Sequence, residues 1–356
     1  MQALARRHQM SLFSLVPKPL EAQLRGHSEL EVYTHVHVVA CDMFPIFRTS
    51  TVATCRSVAE VLSGPLAEAH AAGPFDGVIA EQVFTAEVIG DLDIPLVLNE
   101  HNIESDMLRA LRVSAPERGI SEQDITDLAR YEIASWQRAA LVTCVSPADA
   151  EHVRRHRDGP VEVVPNGVAL DENPYIPPSR RHGFDVAFVG GFFWPPNIQG
   201  ARFLALEVMP LVWVHAPDAR LVLCGKNPAD EVLALASPRV VVTGTVPSVS
   251  PILDAATVYA NALFAGAGSS LKTLEPLAAG IPMVSTAVGA RGYPLDPGTH
   301  FLLAQTASEF AAAILDVFRQ REAFDAMTER ARGVAMAFDW AALGERLAQT
   351  VEQAID

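Results

Sequence analysis

The run Asp185-Val186-Ala187-Phe188-Val189-Gly190-Gly191-Phe192-Phe193-Trp194-Pro195-Pro196-Asn197, DVAFVGGFFWPPN, decides how the rest of the chain is read. Its first half is apolar without alternation, which suits a strand covered on both faces. Gly190 and Gly191 follow directly as a turn, and Pro195 and Pro196 favour a fresh helix start. The run therefore predicts a strand-turn-helix unit. It is not GxGxxG, so a dinucleotide fingerprint is not supported. The glycines fit two readings at this point: a phosphate-facing loop, or a tight turn that needs positive φ.

The same grammar continues in both directions. Downstream, apolar runs at 219–225, 239–244, 257–262 and 282–286 are separated by helical patterns, the first from about residue 197. Upstream, candidate strands occupy 11–16, 75–80, 95–99, 140–146 and 161–166, with helical patterns such as SVAEVLSGPLAEAHAA and EQDITDLARYEIASWQRA between them. Continuous apolar strands separated by helices predict parallel sheets. The polar, proline-bearing ENPYIPPSRRHG (172–183) reads as a linker. The expected organisation is an α/β chain of two tandem Rossmann-like βαβ domains, 1–168 and 169–337. The amphipathic final helix, 338–356, completes the first. Ligands sit at the carboxyl ends of such strands, and two such domains leave an inter-domain cleft. Loops 190–197, 225–228, 244–247 and 264–272 are expected on one rim.

The bulk numbers limit the function classes. At 356 residues, 49% hydrophobic and 19% charged, the chain is globular and long enough for two cores. A net charge of −15 argues against nucleic acid as a partner and gives no sign of peripheral membrane contact. The 4 cysteines show no CxxC spacing and read as reduced core residues of a cytoplasmic protein, not a metal site. No apolar run reaches membrane-spanning length, and no signal-peptide plan opens the chain.

Three further stretches carry chemistry. GAGSSLKTLEPLAAG (266–280) runs glycines and serines into a helix. Free N–H groups at a helix start favour anions, and Lys272 in the first turn opposes the helix dipole unless an anion is bound nearby. Glu275 lies three residues on, on the same side. A lysine on phosphate and a carboxylate on ribose hydroxyls would clamp a nucleotide. An ordinary turn with a surface Lys–Glu pair fits the residues too. NEHNIESDML (99–108) crowds Glu100, His101, Asn102 and Glu104 past a strand end, as function or as structural polar groups. VVPNGV (163–168) alone is a plain turn. Neither HExxH nor a GxSxG elbow occurs, so zinc-hydrolase and serine-esterase chemistry lack support.

Taken in order, VVPNGV, FVGGFFWPPN, PDARLVLCG, VVVTGTV and GAGSSLKTLEPLAAGIPMVST resemble the glycosyltransferase family 4 proteins, retaining nucleotide-sugar enzymes of GT-B architecture. The resemblance covers essentially the whole chain and is strongest over 140–300. It implies Lys272 on the donor diphosphate and Glu275 on the ribose. Gly266 and Gly268, Ser269, Ser270 and Leu271 would then offer N–H groups to the phosphates and the transferred sugar. Gly190 and Gly191 would form the second phosphate-facing loop, and the segment Thr243, Gly244 to Val246 would lie along the base. His101 would sit near the transferred sugar. The implied partners are a UDP- or GDP-linked sugar donor, as substrate, and a carbohydrate, lipid-linked or small-molecule acceptor. No cofactor and no metal are implied. Front-face attack by the acceptor leaves no protein nucleophile to nominate.

Two departures stand out. Many family members carry a glutamate where this chain has Ala267. MQALARRHQMSLFSLV reads as the end of a first helix followed by a second strand, so the usual opening strand and its glycine loop are not in this sequence. A sheet position left open there would have apolar flanks. The alternatives to a transferase are therefore a catalytically impaired sugar-nucleotide binder of the same fold, and a nucleotide-sugar epimerase. The epimerase would call for further acid/base carboxylates.

Overall fold

The computed structural model describes residues 1–18, 21–22, 28–41, 51–114, 116–265 and 271–355. The chain divides into two compact units, Met1–Pro165 with Ala341–Asp356, and Asn166–Trp340.

The first unit holds two parallel sheets. β1 (Ser11–Pro17) pairs with β2 (His35–Cys41), in register from Ser11 opposite His35 to Pro17 opposite Cys41. β2 escapes a search for apolar runs because His35 and His37 interrupt its valines. The second sheet is β3 (Val78–Glu81), β4 (Leu96–Glu100), β5 (Leu141–Cys144) and β6 (Val161–Val163), in that order. Burial differs between the sheets. Val97, Leu98 and Val142 are wholly enclosed. Leu12, Phe13 and Leu15 of β1, like Val78 and Ile79 of β3, are only half-buried. β1 and β3 are not paired with one another.

Helices cover these strands. The helix Val52–Ala72 sets Val58, Leu62 and Leu66 at helical spacing against Phe13, Leu15 and Val78. The helix Glu122–Arg138 starts at a capping box in which the Ser121 hydroxyl accepts from Asp124 N. The final helix, Trp340–Ile355, places Ala348 and Val351 against Leu4, Val97 and Leu141. Arg7 anchors it by pairing with Glu345 and, at 3.1 Å, Glu352.

The second unit is built on a six-stranded parallel sheet, ordered β12-β11-β10-β7-β8-β9. Its strands are β7 (Asp185–Val189), β8 (Arg220–Cys224), β9 (Val240–Gly244), β10 (Val258–Asn261), β11 (Met283–Ser285) and β12 (Leu302–Leu303). Alternate residues feed two cores. Val186, Phe188, Val258 and Ala260 pack on one face with Leu204, Val208, Phe310 and Ile314. Ala187, Tyr259 and Met283 pack on the other with Leu274, Leu277, Ala331 and Ala335. Both faces being covered explains the unbroken apolar runs.

One expectation is overturned. The stretch 172–183 is no loose linker but part of the second unit. The Arg181 side chain is 3% exposed and donates to the carbonyls of Ile176, Leu253, Asp254, Ala256 and Ala279. Tyr175 reaches Thr328 Oγ1 at 3.1 Å, and Ile176 N donates to Ala279 O at 3.1 Å. An arginine that ties down irregular backbone leaves no periodic trace in the sequence.

Candidate functional site

In the second unit the site is assembled where β7 ends. Phe188 points into the core, so Gly190 and Gly191 emerge at the strand's carboxyl end. Gly190 N still donates to Cys224 O at 2.9 Å, extending the β7–β8 ladder by one rung. The Tyr259 hydroxyl accepts from Val189 N at 3.4 Å and braces the strand just below the turn. A Cβ on Gly225 would lie 1.7 Å from Gly190 O, so only glycine lets these two loops approach. A Cβ on Gly190 would lie 3.0 Å from both Asn197 Nδ2 and Lys272 Nζ.

Lys272 enters from the second residue of the helix Leu271–Ala278. Its ammonium donates to Asn197 Oδ1 and sits 5.2 Å from the Phe188 ring centroid. Burial alone pushes its pKa from 10.5 down to about 7. The side chain as a whole is half-buried, but the shift follows its enclosed ammonium end. Among the described residues Lys272 forms no ion pair, with Glu275 or any other carboxylate, so the surface-pair reading of this helix does not hold.

Glu275 is also raised, by its own burial first and by the Glu172 carboxylate second. Burial first, and the Glu275 charge after it, raise the Cys224 thiol, which also meets the Thr243 side chain. Thr243 Oγ1 donates to Gly244 O at 2.9 Å. Gly244 closes β9 with φ +69°, and Val246 is half-buried two residues beyond it. Gly266, Gly268, Ser269 and Ser270, with Ala267, lie outside the described residues, and Leu271 is the first residue of the helix.

His101 belongs to the first unit. The four polar groups that crowd 99–108 separate there into two sets. His101 is half-exposed, and its Nε2 lies 2.8 Å from Glu81 Oε2, which also accepts from Asn99 Nδ2 at 2.8 Å. Thr143 Oγ1 donates to Asn99 Oδ1 at 2.7 Å and fixes that amide. Glu100 and Glu104 instead turn into the core. Glu100 accepts from Trp136 Nε1 at 2.7 Å and Val83 N at 3.3 Å, and its burial, with Glu132 nearby, holds its carboxyl well above the usual range. Glu132 accepts from Glu104 N at 2.6 Å and Ser105 N at 3.3 Å, capping the helix Glu104–Ser114. Burial raises both Glu104 and Glu132 to about 7. Asn102 Nδ2 reaches Glu104 Oε1 at 3.5 Å. These carboxyls are structural.

The sequence reading missed Asn197, Glu81 and Gln82. Asn197 closes the quoted motif but is a common residue at a helix start, and its value lies in what it joins. Gln82, with φ 67° and ψ 155°, occupies a region that glycine alone adopts easily. That strain sits beside the Glu81–His101 pair at the end of β3, and no sequence pattern announces it. Among the described residues no cluster of three or more His, Cys, Asp or Glu could hold a metal ion, and no helix is long and apolar enough to cross a membrane.

Two family descriptions match the chain: Glycosyltransferase Family 4 over residues 1–172, and Glycosyl transferases group 1 over residues 183–320. A Klebsiella pneumoniae protein described as an uncharacterized 44.6 kDa protein in the cps region is 28% identical over 144 residues. That match spans 38% of this chain and 37% of the relative's length. Among solved structures, Anabaena Alr3699/HepE in complex with UDP and glucose is similar at a TM-score of 0.67 and 16% identity, over 99% of this chain and 93% of that one. A glycosyltransferase from Rickettsia africae is similar at 0.60 and 11% identity, over 98% and 99%. TarM is similar at 0.61 and 12% identity, over 79% and 56%.

Proposed function

This chain belongs to the family 4 glycosyltransferases and has the GT-B fold, and from that premise we propose that it moves a sugar from a nucleoside diphosphate donor to an acceptor hydroxyl with retention of configuration. The observation that carries the proposal is the Lys272 ammonium. It is desolvated, without a carboxylate partner among the described residues, and set against a glycine turn, its Nζ 3.0 Å from where a Cβ on Gly190 would stand. A buried cation without a counterion costs stability, and the natural compensation is a bound anion.

The chemistry follows from that charge. The bond from the sugar's anomeric carbon to the diphosphate breaks while the bond to the acceptor oxygen forms on the same face. The acceptor proton passes to the departing diphosphate. Negative charge grows on the leaving group, and Lys272 with the N–H groups at its helix start stabilises it. Glu275 receives the ribose hydroxyls, and Thr243 to Val246 line the base. A uridine nucleotide is the first choice because the Anabaena neighbour is described with UDP and with UDP-glucose. The acceptor is a carbohydrate, lipid-linked or small-molecule hydroxyl.

Calorimetry with UDP, GDP and their sugars tests this on the wild type, Lys272→Ala and Glu275→Ala. Losing a charge-assisted contact costs about 1.5–3 kcal/mol, roughly tenfold or more in affinity. One nucleotide bound by the wild type and weakened by both substitutions supports the reading. A folded wild type that binds none of them refutes it.

A further inference from the structure

We infer that Asn197 is the positioning residue for Lys272, its amide holding the ammonium against the glycine turn of β7 so that the cation is already aimed when a diphosphate arrives. The inference rests on the donor reading above and assigns a role to a residue of the quoted motif that the resemblance left without one.

The geometry is a single amide working in two directions. Asn197 Nδ2 donates to Gly191 O at 2.8 Å, and Oδ1 accepts from Lys272 Nζ. The reverse amide orientation would set an N–H₂ against the ammonium and an oxygen against a carbonyl, so the chemistry of both neighbours fixes it. Asn197 is 5% exposed and stands in the first turn of the helix Pro195–Phe203. Its backbone N donates to Trp194 O at 3.0 Å. The amide therefore ties together the loop after β7, its own helix and the helix that carries Lys272.

An amide is the fitting group for this task. A carboxylate at 197 would neutralise Lys272 and compete with the incoming phosphate, and an apolar side chain would leave the ammonium without an acceptor. A neutral acceptor orients the cation without cancelling it. Among the described residues, the groups that face the ammonium are the Asn197 amide, the Phe188 ring and the backbone of Gly190. No charged group contributes to its depressed pKa, which burial explains by itself.

The test is a double-mutant cycle on UDP affinity with Asn197→Ala, Lys272→Met and the pair, and uridine as the phosphate-free control. If Asn197 acts through Lys272, Asn197→Ala weakens UDP about tenfold and leaves uridine unchanged, and in the Lys272→Met background it has almost no further effect. Equal losses for UDP and uridine, or losses that simply multiply, overturn the inference and leave the donor site standing. A wild type that binds no nucleotide, or a Lys272→Met variant that binds UDP like the wild type, overturns the donor reading and this inference with it.

A measurement free of nucleotide accompanies the cycle. Mass spectrometry of Lys272 acylation by a small amine-reactive ester should show faster labelling in Asn197→Ala. Unchanged labelling counts against the role. Asn197→Ser, with a shorter hydroxyl acceptor, replaces the alanine variant if that fails to fold, and should give the same pattern at smaller amplitude.

Discussion

Replacing Lys272 with Met should stabilise the ligand-free protein, and more so in acid than in base. The wild-type ammonium titrates near 7 in the fold against 10.5 for an ordinary lysine. The fold thus favours the neutral amine and binds fewer protons than the unfolded chain between these two values. Stability is present in full above about 10.5 and is lost as pH falls through about 7. Between about pH 9 and about pH 6 this linkage amounts to roughly 2.5 kcal/mol for full burial, and about half that once solvent at the half-buried side chain is allowed for. Met keeps the length and apolar stem and does not titrate, so every other ionising group cancels in the comparison. The assay is urea unfolding of wild type and Lys272→Met across that range, followed by a probe in the second unit. The stability gap should widen by about 1–2.5 kcal/mol on acidification, and saturating UDP should abolish the widening by pairing the charge. A gap that stays constant within about 0.5 kcal/mol would refute the argument that Lys272 is held desolvated and unpaired.

Two further outcomes follow from buried polar groups. Glu132 is raised to about 7, chiefly by burial, so its contribution is complete below about 4.5 and lost as pH rises through about 7. Glu132→Gln keeps an acceptor for the N–H groups of Glu104 and Ser105, and should flatten the loss of stability with rising pH by up to about 1.4 kcal/mol per pH unit; an unchanged slope from urea midpoints contradicts this. Arg181→Met strands the carbonyls that the guanidinium now joins, and should cost about 3 kcal/mol or more in denaturant unfolding. A cost below about 1 kcal/mol would mean the stretch 172–183 holds without it.

Much of the fold was legible because burial on both faces writes itself as unbroken apolar runs. The strands at 11–17, 96–100, 185–189 and 220–224 lie where the runs predict them. β2 and the two-residue β12 were not legible, one interrupted by histidines and the other too short for a pattern. In the site, Lys272 stood out because a cation in a first helical turn is out of place, and the glycine turn because Gly-Gly follows a strand. Glu100 and Glu104 looked as available as His101, since nothing in the sequence tells which side of a strand end faces inward. Asn197 and Gln82 carry their meaning in an amide orientation and a backbone angle, which only coordinates reveal.

The final helix has a consequence for how the protein is made. Because the final helix from Ala341 onward belongs with the first unit, that unit is interrupted by the whole of the second and is completed only after the second has been translated. The second unit, continuous in sequence, can close during synthesis while the first still lacks a wall. Until then Leu4, Val97 and Leu141 lack the cover of Ala348 and Val351, an apolar strip available to chaperones or to aggregation. The order of translation is thereby inverted: of the two units, the one that begins upstream is completed after the other, and loss of the final helix from Ala341 onward would leave it unsealed while sparing the second.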